Sequence, residues 1–108
     1  MDTTYEVLGQ SAPAATTATT LYTVPSATTT VVSTLSVCNR GATGTFRVAV
    51  RPAGATLANQ HYIVYDASVA ANDSLFLTIG VTLAATDVIT VYASSADFSF
   101  SAFGSETV

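Results

Sequence analysis

From Leu21 onward the chain repeats one device: a short run of alternating apolar and polar residues, then a cluster of Gly, Asn, Asp, Ser or Pro. Alternation with period two belongs to a strand that buries one face, and punctuation of this kind separates antiparallel strands. In TFRVAVR, Phe46, Val48 and Val50 take one face, leaving Thr45, Arg47, Ala49 and Arg51 on the other. TTVVSTLSVC reads with Val31, Leu35 and Val37 inward and Thr34, Ser36 and Cys38 outward. SLFLTIG sets Leu75, Leu77 and Ile79 on one face, and DVITVYA sets Ile89 and Val91 against Val88, Thr90 and Tyr92. In DFSFSAF, Phe98 and Phe100 alternate with Ser99 and Ser101. NRGATG, PAGATLANQ, SVAANDS and SSAD supply the turns. The pattern predicts a single all-β antiparallel sandwich of seven or eight strands over residues 21–108, with jelly-roll and Ig-like orders both open.

Residues 1–20 lack that rhythm and read as an N-terminal extended arm or linker. Within them YEVLG is a short strand or an arm, and QSAPAATTATT is a linker or a late-pairing strand edge. Pro13 and the β-branched threonines disfavour a helix there. At 108 residues the chain is long enough for one domain with a modest core.

Charge is scarce. Only 9% of residues are charged, the net charge is −4, and there is no lysine; the three cations are Arg40, Arg47 and Arg51. An acidic chain without a basic face is not built to hold nucleic acid. No apolar run reaches the length of a membrane span, and the opening MDTTYEVLGQ lacks the basic and apolar regions of an export signal. Synthesis in the cytoplasm is therefore expected. So little charge also leaves copies free to associate, which suits a surface normally covered by partners.

The residues that could carry chemistry are few. His61 is the only histidine and Cys38 the only cysteine. Neither has a companion at catalytic or metal-ligand spacing, so His61 reads as packing or surface polarity and Cys38 as a small hydrophobe. Asp66, Asp73, Asp87 and Asp97 fall at turns or strand ends, where aspartate caps its own backbone; a loop Ca²⁺ site is the alternative. Asn72–Ser74 matches a glycosylation triplet but reads as a turn. No catalytic, cofactor or metal residue is expected. Arg47 and Arg51 share the outward face of one strand about 13–14 Å apart. Arginine favours bidentate contacts and is enriched at interfaces, so Arg40, Arg47 and Arg51 are read as partner or intersubunit contacts. Tyr62 and Tyr65 join them as core-and-rim packing or a stacking surface.

The run VCNRGATGTFRVAVRPAGATLANQHYIVYD and the later LAATDVITVYA and FSAFGSE resemble small virion structural proteins of tailed bacteriophages, of cyanophage and marine types. The resemblance spans about residues 21–106. It implies a non-enzymatic cement or decoration protein on the capsid surface. Its partners would be the major capsid protein and further copies of itself, as a homotrimer. The alternative implied is a small tail, baseplate or fibre subunit that touches host glycans through Tyr62, Tyr65 or Tyr92. Under either reading the arm at residues 1–20 orders on assembly.

Overall fold

A computed structural model describes residues 2–108. Its strands in chain order are β1 (Thr3–Ser11), β2 (Thr19–Thr23), β3 (Thr29–Asn39), β4 (Gly44–Arg51), β5 (Tyr62–Val69), β6 (Ser74–Leu77), β7 (Val81–Leu83), β8 (Val88–Ala93) and β9 (Phe98–Thr107). Single 3₁₀ turns lie at Pro52–Gly54 and Asn59–His61. Among the described residues no helix is long and apolar enough to cross a membrane. The larger sheet runs β1-β9-β3-β6, with β7 also pairing β3, and the smaller runs β2-β8-β4-β5. Every ladder is antiparallel.

The expected all-β sandwich is present, with nine strands rather than seven or eight. One added strand comes from the segment expected to be an arm. Thr3–Ser11 pairs along its whole length with β9, and Thr19 and Thr20 already belong to β2. Only the connection between Ser11 and Thr19 keeps the character of a linker. Thr-rich sequence with little apolar content can hold a strand when the partner ladder supplies the hydrogen bonds, and β9 does so. The other added strand arises because SLFLTIGVTL breaks in two at Gly80, whose φ is +58°. Ile79 therefore lies off any strand and is exposed, not inward beside Leu75 and Leu77.

Between the sheets lie Phe46, Phe98, Phe100, Leu35, Ile89, Val32, Val37, Val48 and Val91, each under 2% exposed. The ring of Phe100 packs 6.0 Å from that of Phe46 and 6.4 Å from that of Phe98. These aromatics join the central strand of the larger sheet to β4 in the smaller one. Their alternation with Ser99 and Ser101 is why β9 can be buried on one face and polar on the other.

Two bulges interrupt the larger sheet at the same level. The register of β3 on β9 shifts between Val32 and Thr34, and that of β1 on β9 between Val7 and Gly9. An extra residue in a strand inverts the side-chain alternation beyond it. Thr30 and Val32 therefore point inward before the bulge, and Leu35, Val37 and Asn39 after it. Val31, expected inward, is turned out and 43% exposed. Close backbone approach marks both regions. A Cβ on Gly104 would overlap the Val31 carbonyl, and one on Gly9 would overlap the Leu21 carbonyl where β1 meets the edge of the other sheet.

Candidate functional site

The sequence singled out the arginines, and each turns out to be engaged within its own chain. Arg40 donates from Nε to Ser99 Oγ at 2.9 Å and from its guanidinium to the Ala96 carbonyl at 3.1 Å. It thereby ties the β3–β4 turn to the β8–β9 turn. Arg51 donates to Thr90 Oγ1 at 3.1 Å and to the Ala55 carbonyl at 3.1 Å. Its stem roofs the outer face of β8, where Thr90 is only 6% exposed, and its head holds the loop after β4.

Arg47 sits at the centre of a more elaborate arrangement. It lies opposite Tyr92 of β8 in register, and its Cζ is 4.3 Å from that ring's centroid. On the other side Cζ is 4.2 Å from the centroid of Tyr65. Tyr65 in turn meets Tyr62 edge-on, with centroids 4.9 Å apart and planes at 81°. Asp66 accepts from Arg47 Nε at 2.7 Å and from its terminal nitrogen at 3.3 Å. The carboxylate beside it raises the guanidinium pKa above its ordinary value. Arg47 keeps its charge at any working pH.

A regular pleat cannot put Tyr65 and Asp66 on the same side of a strand. Here Phe46 faces Ala67 while Val48 faces Val64, so β5 carries one residue more than β4 across that interval. The extra residue is absorbed at Tyr65–Asp66, with Asp66 in the left-handed region at φ +53°. The bulge swings both side chains onto Arg47. Asp66 was expected to cap its own turn and instead crosses to β4. Tyr92 was placed on an outer face by alternation, but nothing in the sequence joined it to Arg47. The clue was there in HYIVYDASV, since inward Val64 and Ala67 are three residues apart where a strand demands two or four.

The other carboxylates behave as expected of turn residues. Asp73 Oδ1 accepts from the Ser74 amide at 2.8 Å, and Asp87 accepts from the Ala53 and Ala84 amides at 2.9 and 2.8 Å. His61 accepts from the Ala58 amide at Nδ1, 3.0 Å away. Among the described residues no three His, Cys, Asp or Glu side chains gather as a metal-binding group. Cys38 is half-buried on the outward face of β3, opposite Ser74 and Ser99.

The second surface of interest is the outer face of the larger sheet. Following register outward from the bulges gives Thr3, Tyr5 and Val7 on β1 and Ser101, Phe103, Ser105 and Thr107 on β9. Across β9 the same face continues with Val31, Ser36 and Cys38 on β3 and Phe76 on β6. None of these carries a charge at neutral pH. Tyr5 is 83% exposed and Phe76 68%. A shallow groove of about 490 Å³ runs between Tyr5, Val31, Ser33, Phe103 and Ser105, with Glu6 at its rim.

Comparison with protein-family models, curated proteins and solved structures returns no match.

Proposed function

We propose that this chain is a non-enzymatic virion subunit of the cement or decoration type, seating the outer face of its larger sheet on the major capsid protein lattice. The observation that supports this reading is that Tyr5, Val7, Val31 and Phe76 are exposed on a face whose outward strand positions are uncharged, with Glu6 and Arg40 only at its margins. Exposed apolar and aromatic side chains set among uncharged serines and threonines on one sheet face suit a protein-binding surface. Binding the assembled shell but not the unfolded chain stabilises both by mass action. Because its side chains are already held within the domain, Arg40, Arg47 and Arg51 act as braces that keep the docking scaffold rigid. A homotrimer at the junctions of capsid subunits belongs to the same proposal.

The test is fractionation of purified particles into heads and tails, with this protein quantified against the major capsid protein in each. Recovery with heads in fixed proportion to the capsid protein is the expected result, and Val31→Asp or Phe76→Asp should lower that occupancy. Recovery with tails overturns the cement reading in favour of a tail or fibre subunit. Sedimentation of the free protein reports whether three copies associate.

A further inference from the structure

The aromatic ladder on the smaller sheet is built more expensively than a surface brace requires. Asp66 holds a left-handed φ, the β4–β5 ladder gives up regular register, and two tyrosines from two strands meet one guanidinium, with Tyr62 edge-on behind Tyr65. Strain and bulges of this kind collect where a strand must aim side chains at something. The hydroxyls of Tyr62, Tyr65 and Tyr92 make no hydrogen bond within the described residues, and Tyr65 is 59% exposed.

From this geometry we infer that the Tyr62–Tyr65–Arg47–Tyr92 ladder, with Asp66, is a binding platform for the neutral pyranose units of a glycan. The inference stands on a different face from the capsid-docking surface and does not rest on that reading.

Three features select this ligand class. First, Arg47 and Asp66 neutralise one another, so the site has no net charge with which to hold an anionic group. Second, the pair still has hydrogen bonds to offer. A guanidinium has five N–H donors and Asp66 engages two of them, while each carboxylate oxygen keeps an acceptor position. Donor and acceptor side by side match the vicinal hydroxyls of a sugar, each of which both donates and accepts. Third, Tyr65 beside that pair is 59% exposed and brings an apolar, electron-rich ring within reach of the C–H face of a pyranose. Stacking of the guanidinium between Tyr65 and Tyr92 fixes the donors before any ligand arrives, which lowers the ordering cost of binding.

The purified full-length protein should be applied to an array of neutral and acidic glycans. Saturation-transfer NMR with the neutral glycans retained would then read contact with tyrosine ring protons. Retention of neutral hexose-containing glycans is expected, with saturation passing to sugar C–H protons. Tyr65→Ala should weaken binding about tenfold. Tyr65→Phe should keep most of it, because the stacking face survives. Phe76→Ala, on the opposite sheet, should leave it unchanged, and circular dichroism of each variant confirms the fold. Retention of no neutral glycan overturns the inference. So does retention of sialylated or sulfated glycans alone, or binding that Tyr65→Ala leaves intact in a folded variant. Glycan retention also suits the tail or fibre alternative, so head or tail location is read from particle fractionation alone and the two proposals fail separately.

Discussion

Asn39 closes β3, is 1% exposed, and spends its whole amide on the backbone of two turns. Its Nδ2 donates to the Ala42 carbonyl at 2.8 Å and is shared between the carbonyls of Val69 and Ala70 at 3.2 and 3.3 Å. Its Oδ1 accepts from the Gly41 amide at 3.0 Å. Replacing it with alanine removes three hydrogen-bonding directions at once, each contributing about 1 kcal/mol net. Carbonyls stranded in a partly dry site add to that loss. Asn39→Ala should therefore cost about 3–4 kcal/mol, a large share of the 5–15 kcal/mol typical of a domain. Asn39→Asp keeps the shape and the acceptor but turns a carboxylate toward three carbonyl oxygens. At neutral pH it should cost at least as much as alanine. Below the carboxyl pKa it should recover part of the loss, because a protonated acid can donate one bond again. Urea unfolding followed by tyrosine fluorescence and circular dichroism measures both variants. A cost below about 1 kcal/mol for Asn39→Ala, or an Asn39→Asp variant indifferent to acid, would refute the assignment of Asn39 as the tie between these turns.

Gly104→Ala drives a Cβ into the Val31 carbonyl where β3 bulges against β9; a loss of about 2–3 kcal/mol is expected in the same unfolding assay. Phe100→Ala opens a hole between Phe46 and Phe98 and should cost about 3–5 kcal/mol by thermal or urea melts. Tyr22 hydrogen-bonds Thr30 Oγ1 at 2.8 Å and donates to Glu106; burial and that bond push its pKa up to about 12. The folded state thus favours the protonated phenol, so stability should fall as pH rises from 10 to about 12, and Tyr22→Phe should flatten that limb. Glu6 shares a hydrogen bond with Glu106 across the β1–β9 ladder, which raises its pKa above 4.5. Its contribution is complete below the ordinary carboxylate range and is lost as pH rises through the raised value. Amide protection factors along β1, corrected for the intrinsic pH dependence of exchange, should accordingly rise on acidification, and Glu6→Gln should remove that rise.

How far the sequence speaks depends on whether a feature is periodic. Phe46, Val48, Phe98, Phe100, Ile89 and Val91 could be assigned to the core because alternation alone decides which face of a strand is apolar. Arg47 and Arg51 could be placed on an outer face for the same reason, and Arg40 in a turn by its glycine neighbours. Their partners could not. Arg47 meets Asp66, Arg40 meets Ser99 and Arg51 meets Thr90 across ladders whose register no local pattern states. The outward turn of Val31 was hidden similarly. In TTVVST both valines are equally apolar, and only the bulge opposite Gly104 decides which one is buried.

The sequence by itself determined the class of fold, most of the turns and the regularly alternating part of the core, because side-chain period and turn chemistry act over a few residues. Tertiary structure decided that the N-terminal segment becomes a strand, since β9 must be present to supply its hydrogen bonds. It also decided where the bulges fall, because a bulge is a mismatch between two strands and exists only when they pair. Both candidate surfaces follow from those mismatches. One bulge turns Val31 outward onto an uncharged face, and another swings Tyr65 and Asp66 together onto Arg47.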